Sequence, residues 1–228
     1  MGNLLSTRPI SFRNESDAFA HSRDAAAWLR IFWTLERIAA LFAAILIAPI
    51  AAVVALVIVL LSRQSPLVRH RRVGWQGREL RLIKFRTMWS RGVRSGPLVV
   101  IEDLPENSFV IKMKSDRRVT SRFAAWCRRY SLDEIPQLAH IIRGEMSFVG
   151  PRPITRAELD SYYGPCAAEI LSLRPGLTGL WQIMGRNRLS YMQRRRLDVL
   201  LVRHASPRFF LAILIRTIPC VLGGHGAY

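Results

Sequence analysis

The sequence predicts an α/β fold that is mostly helical, with a small sheet and a membrane-associated helix near the start of the chain. Three observations carry this. Ile38 to Leu61 is 24 residues without a charge, about 36 Å as a helix and long enough to reach through a bilayer. After it, Leu80-Arg81-Leu82-Ile83-Lys84-Phe85-Arg86-Thr87-Met88 partly alternates apolar and basic residues, as an exposed strand does. The remainder carries helix-start signals ahead of short amphipathic runs.

Residues 1–30 are polar and of mixed charge, and are read as a flexible tail. Residues 31–62 form the apolar element. Its midpoint is Pro49, which removes a helix hydrogen bond and crowds the preceding turn. Two arrangements follow: a kinked spanning helix, or a re-entrant helix-break-helix that enters and leaves by the same face. Flanking charge does not choose between them. Arg63, Arg69, Arg71 and Arg72 follow the segment, and Arg23, Arg30 and Arg37 precede it.

Residues 63–228 make the remaining domain. Arg72 to Arg78 reads as a turn into the strand. Helices are expected over 121–129, 134–143, 155–162 and 190–204, with residues 90–115 a loop around a short strand. Arg174-Pro175-Gly176-Leu177-Thr178-Gly179 reads as a turn. Phe209 to Leu222 is apolar but too short to span, and contains Arg216 and Pro219, so it is expected to be a buried or interfacial amphipathic helix.

The formal net charge of +18 rests on 31 Arg and 3 Lys. Positive charge beside an apolar anchor suits anionic lipid headgroups and phosphorylated substrates. Nucleic acid is the competing partner, but zinc-ligand pairs, ribonucleoprotein aromatics and basic-region heptads are all missing from the sequence, which argues against it. Cys127, Cys166 and Cys220 lack paired spacing and fit a reducing compartment. A glycine-rich nucleotide loop is also missing.

The chemistry concentrates between Arg128 and Pro153. Asp133 and Glu134 are adjacent, and either Ser131 or Asp133 could cap the helix that follows. Ser131-x-x-Glu134 also fits a capping box, which stabilises a helix start and does no chemistry. Adjacent carboxylates point about 100° apart on a helix, so any functional roles must differ. One, held ionised by Arg128 and the helix N-terminus, could attack phosphorus. The other could hold Mg²⁺, which binds through one or two carboxylates plus substrate phosphates. In Pro151-Arg152-Pro153 two fixed φ angles stiffen the backbone around a guanidinium suited to phosphate. Lys84 and Arg86 are further candidates for substrate phosphates.

Taken together, these motifs resemble the bacterial sugar transferase family, the monotopic phosphoglycosyl transferases. The resemblance runs from about Thr34 to Tyr228: the apolar segment with its central Pro, Lys84 to Met88, Asp116 to Thr120, Ser131 to Leu138, Gly144 to Pro153, and Arg174 to Gln182. It implies transfer of a sugar phosphate from a UDP-sugar to undecaprenyl phosphate, releasing UMP. Asp133 would be the nucleophile, forming a covalent phosphosugar intermediate, and Glu134 the Mg²⁺ ligand. Lys84, Arg128 and Arg152 would contact substrate phosphates or support that site. The same resemblance implies a re-entrant hairpin in the bacterial inner membrane, with the catalytic domain on the cytoplasmic face and membrane lipids and a homodimer as candidate partners.

Three departures stand out. Ala48 replaces a serine common before the hairpin proline, and Arg117 replaces a proline. Of two aspartates 12 residues apart in relatives, Asp198 matches the first and Phe210 occupies the second. The glycine-rich C-terminus resembles members that start exopolysaccharide repeats with galactose or glucose phosphate. The reading from another class is a non-catalytic, membrane-anchored basic adaptor that binds anionic lipid or nucleic acid.

Overall fold

A computed structural model describes residues 22–88, 100–101, 121–185 and 189–223. The expected loop over 90–115 and the Asp116 to Thr120 motif, with Arg117, lie almost wholly outside them. So does most of the tail.

Helix α1, Ser22–Ser62, is one continuous helix of 41 residues with Pro49 inside it. Helical structure is not interrupted at Pro49: a proline removes a single backbone bond, here to the carbonyl of Ile45, and the helix continues on either side, which does not choose between the kinked and re-entrant arrangements. The helix also passes through the boundary expected at residue 31.

Strand β1, Leu67–Val73, turns through Trp75–Gly77 into antiparallel β2, Glu79–Phe85, pairing Val68 with Lys84 and Val73 with Glu79. Strand β3, Val100–Ile101, adds in parallel to β1, giving the order β2-β1-β3. Helix α2, Arg122–Arg129, starts where Ser121 accepts a hydrogen bond from the Ala124 N–H. A 3₁₀ segment, Leu132–Gln137, leads into α3, Leu138–Arg143, which stops at Gly144 with φ +77°.

Strand β4, Ser147–Val149, pairs in parallel with β5, Gly176–Thr178. The middle of the expected turn at 174–179, Gly176–Thr178, is therefore a strand. Between the two lie α4, Arg156–Glu158, extended by a π turn to Tyr163, and α5, Ala167–Ile170. Thr155 and Glu158 form a full capping box at α4. Then come α6, Leu180–Ile183, α7, Tyr191–Arg203, capped by a Ser190–Gln193 box, and α8, Pro207–Leu222, capped by Ser206.

α1 is packed along much of its length against this domain. Near its start, Trp28, Leu29, Phe32 and Trp33 join Phe210, Ile213 and Leu201. Ala40, Ala43, Ala44 and Ile47 meet Leu80, Leu82, Leu138, Ile141 and Met146. Beyond Pro49, Val54 and Ile58 pack with Phe85 and Cys127. Small alanines on the inner face let the backbone approach α3 closely. A buried polar tether reinforces the packing: Glu36 accepts from the Ser147 hydroxyl at 2.6 Å and from the Phe148 N–H at 2.9 Å.

The outer face of α1 is apolar and open, with Leu46 80 % and Phe42 68 % exposed. On α8, Leu211, Ile215, Ile218 and Leu222 are also exposed, and their spacing puts them on one face. α1 is long and apolar enough to cross a membrane by length and composition.

Candidate active site

The 3₁₀ segment that carries Asp133 and Glu134 lies between β2 and α2. Ser131, its N-cap, adopts φ +57° and makes no capping bond with its side chain. The capping-box reading is thus corrected. The Glu134 Oε1 accepts from Lys84 Nζ at 2.7 Å, across to β2. A single residue in the left-handed region turns the chain sharply after α2. Pro136, inside the 3₁₀ segment, lacks the N–H a regular α-helix would use, and α-helix begins only at Leu138.

Asp133 is 9 % exposed. Burial pushes its carboxyl up to about 6; Lys84 and Arg128 pull the other way, and Glu134 adds to the rise. Ionisation at neutral pH is as expected from the nearby charge, but desolvation outweighs Lys84 and Arg128, so the value lies above the ordinary one. The carboxylate is still mostly ionised at pH 7, but it is poorly solvated and more basic than an exposed aspartate. Those properties favour a nucleophile. The Nε–H of Arg128 is buried without a hydrogen-bond partner. A buried guanidinium donor left open in this way is suited to an anionic ligand.

His140, buried in α3, anchors the strand that presents Lys84. Its Nε2 accepts the Ile83 N–H at 3.1 Å, and Nδ1 pairs with Glu145. Donation from Nδ1 to the carboxylate and acceptance at Nε2 correspond to the Nδ1–H tautomer.

The predicted residues fall into two groups and one outlier. Asp133, Glu134, Lys84 and Arg128 come together as described. Arg152 and Asp198 form a second group. The Arg152 guanidinium lies 4.5 Å above the Trp181 ring, and its Nε–H is buried without a hydrogen-bond partner. Arg194 lies over the same ring at 5.5 Å and over Tyr191 at 5.6 Å, and Tyr191 stacks flat on Tyr162 with centroids 4.2 Å apart. Asp198 is fully buried, accepting from the Tyr163 hydroxyl at 3.0 Å. Burial pushes it up to about 7 against the pull of Tyr163, Arg152 and Arg194. Asp198, a candidate for substrate binding, has no exposed surface and faces Tyr163, Arg152 and Arg194. Arg86 is the outlier: β2 ends at Phe85, and Arg86 turns inward, its Nε donating to the Ser65 carbonyl at 2.8 Å. Lys84 and Arg86 do not share one open face.

The Pro151-Arg152-Pro153 backbone is positioned by a close approach of β4 and β5. Gly150 N–H donates to the Thr178 carbonyl at 3.0 Å, and Gly176 N–H to Pro151 at 2.9 Å. A Cβ on Gly150 would lie 2.2 Å from the Arg174 carbonyl oxygen. Glycine is required there by backbone proximity.

Among the described residues, no group of three or more His, Cys, Asp or Glu side chains gathers into a metal cage. Glu134, about a quarter exposed beside Asp133, is a hard oxygen donor of the kind that binds Mg²⁺ together with substrate phosphates.

Comparison with known proteins gives this geometry its context. The sequence profile of the family "Bacterial sugar transferase" matches residues 29–224. The exopolysaccharide production protein ExoY of Rhizobium meliloti is 38 % identical over 207 residues, covering 86 % of this chain and 87 % of that protein. A UDP-galactose-lipid carrier transferase of Erwinia amylovora is 41 % identical over 171 residues, 72 % of this chain but 35 % of that longer protein. A UDP-glucose:undecaprenyl-phosphate glucose-1-phosphate transferase of Caulobacter vibrioides is 36 % identical over 202 residues, 85 % of this chain and 70 % of that one. The chain belongs to the bacterial sugar transferase family, as an exopolysaccharide-type member, and is a phosphoglycosyl transferase.

Proposed function

We propose that the protein transfers a hexose 1-phosphate, galactose or glucose, from a UDP-sugar to undecaprenyl phosphate through a covalent intermediate on Asp133, as the first step of an exopolysaccharide repeat. The observation that carries this is the buried Asp133 carboxylate, raised to about 6 and set beside Lys84 and Arg128. Related proteins named for galactose and glucose phosphate transfer to lipid carriers support the choice of substrates.

In the first step an Asp133 carboxylate oxygen attacks the sugar-bearing phosphorus of the UDP-sugar. A new P–O bond forms, the bond to the bridging oxygen breaks, and the electron pair leaves with UMP. In the second step an oxygen of undecaprenyl phosphate attacks the same phosphorus. The Asp133–phosphorus bond breaks, and the carboxylate is restored. Lys84 and Arg128 offset the charge that accumulates on the phosphoryl oxygens. Glu134, with the substrate phosphates, would hold Mg²⁺, which supplies Lewis-acid neutralisation of the diphosphate when bound. Lys84 holds Glu134 in place until then. Because UMP can depart before the lipid phosphate enters, two anionic substrates need not crowd one site.

The same reading takes α1 as a re-entrant element in the inner membrane, with both ends and the catalytic domain on the cytoplasmic face. Ala40 to Ile47, before Pro49, and Val54 to Ile58, after it, pack on one and the same domain. A helix whose halves lay on opposite sides of a bilayer could not make both sets of contacts, which supports the re-entrant arrangement.

The test is UMP release from UDP-galactose and UDP-glucose with Mg²⁺ and undecaprenyl phosphate, comparing the native protein with Asp133→Asn. Lipid-dependent release that vanishes in the variant supports the reading. Undiminished release in Asp133→Asn overturns the nucleophile assignment.

A further inference from the structure

A second basic site lies away from Asp133, on the first part of α1. A cavity of about 560 Å³ is lined by Arg30, Trp33, Arg37, Trp75 and Arg174, among others. The Arg174 guanidinium lies 4.1 Å from the Trp33 ring centroid and 5.3 Å from that of Trp75, and the two indoles meet edge to face at 5.6 Å. Trp75 is itself fixed, its Nε1–H donating to the Ser172 carbonyl at 3.1 Å. Arg37 Nε donates to the Ile142 carbonyl at 2.8 Å, which anchors that side chain at the rim.

Two features indicate an anionic ligand. The Arg174 Nε–H is buried and makes no hydrogen bond. Its positive form is also disfavoured, first by burial and then by Arg37, so three guanidinium groups line one concavity without an anion among them. Glu36 offsets Arg174 in part, but its carboxylate is already engaged by Ser147 and Phe148. An added phosphate would relieve both costs.

Position identifies the source of the phosphate. Arg37 is the last charged residue before the apolar run that begins at Ile38. Two tryptophans in edge-to-face contact with a basic residue packed on both, at the edge of an apolar segment, match the chemistry of the headgroup layer. The site is also separate from the catalytic centre, whose Leu132 and Ile135 pack with Val54 and Ile58. From Arg37 to Val54 is about 26 Å of helix. The geometry points to a binding site for the phosphodiester headgroup of an anionic phospholipid, held by Arg30, Arg37 and Arg174 beside the Trp33–Trp75 pair. It rests on the reading of α1 as membrane-seated.

The experiment has three arms on the full chain. Sedimentation with phosphatidylcholine vesicles tests membrane seating alone; failure to co-sediment overturns that reading and the site with it. Native mass spectrometry from micelles doped equally with phosphatidylglycerol and phosphatidylcholine tests the site. The expected result is one retained phosphatidylglycerol, preferred about tenfold or more, with the preference lost in Arg30→Gln and kept in Arg208→Gln, an exposed arginine on α8. Arg30 is an exposed rim residue, so its replacement leaves the Arg174 stack intact. In the third arm, glycerol 3-phosphate is added at the lipid concentration, and the retained lipid should stay bound. Co-sedimentation without headgroup preference, equal loss in both variants, or displacement by glycerol 3-phosphate would each overturn the lipid site while leaving the membrane reading intact.

Discussion

Lys84 and Glu134 meet at 2.7 Å, each about a quarter exposed, and so join strand β2 to the 3₁₀ segment that carries Asp133. The pair sets two properties at once: the orientation of the carboxylate next to the nucleophile, and the positive charge that keeps Asp133 from protonating further. At this exposure the contact adds only modestly to stability. Its importance is electrostatic. Lys84→Met, which keeps the stem and removes the charge, should lower turnover ~10²-fold and move the acid limb of the pH–rate profile to higher pH, because Lys84 lowers the Asp133 pKa. An acid limb that stays in place would mean that Lys84 does not act on Asp133.

Asp133→Asn should reduce UMP release ~10³-fold or more without weakening the fold. The buried carboxylate is raised to about 6, so keeping it ionised at pH 7 costs folding free energy. An asparagine of the same shape avoids that cost. Thermal unfolding of the variant at pH 7 should therefore occur at an equal or higher temperature, and a marked drop would assign Asp133 a structural role instead. The native enzyme should also lose activity on acidification with a midpoint near 6.

Asp198 gives a pH dependence of stability. Its folded-state value is about 7 against an ordinary 3.8, so between these values the folded state binds more protons than the unfolded chain. Stability from this group is then greatest at low pH and declines as pH rises toward 7. Asp198→Asn should flatten that part of the curve, measured as melting temperature against pH from 5 to 8. An unchanged slope would show that Tyr163, Arg152 and Arg194 compensate the charge fully.

Much of this site was legible in the sequence because it is local. Asp133 and Glu134 are neighbours, and the helices expected to begin near residues 121 and 190 do begin there, capped by Ser121 and Ser190. What could not be read depends on distant partners. Gly176-Leu177-Thr178 looks like a turn because Pro175 and Gly176 open it, and it becomes a strand only when β4 lies alongside. Arg86 follows the basic alternation of its strand, yet the carbonyl of Ser65 draws it inward. The Arg174 site is assembled from α1, the β1–β2 turn and the approach to β5, so no local pattern announces it.

Phe210 stands where the resemblance leads one to expect an aspartate, and its packing accounts for the ring. The ring is 1 % exposed and meets Trp28 and Phe32 edge to face, at 5.6 and 5.4 Å. An aspartate here would face aromatic rings, whereas phenylalanine ties α8 to the start of α1. Phe210→Ala should cost about 3–5 kcal/mol through the cavity it leaves, seen as a lower melting temperature. Phe210→Asp should be worse, since it adds an unpaired buried charge. A stable, active Phe210→Asp variant would mean that the α1–α8 packing can open to admit a carboxylate.

Gly150→Ala tests whether the β4–β5 contact positions Arg152. The added methyl would meet the Arg174 carbonyl oxygen at 2.2 Å, and the Pro175 carbonyl carbon and the Gly176 nitrogen at 3.0 and 2.7 Å. All are backbone atoms, so no side chain can swing aside and the strands themselves must separate. That would disturb the Gly150 N–H bond to Thr178 and the Gly176 N–H bond to Pro151, the two bonds that hold the proline-flanked arginine. Ser147, two positions from Val149 on β4, keeps its tether to Glu36, so the damage should stay near Arg152 and leave α1 docked. The expected outcome is a folded, membrane-bound protein with turnover down ~10²-fold, read by UMP release alongside a melting curve. Full activity would show that Arg152 does not need this strand pair to reach its working position.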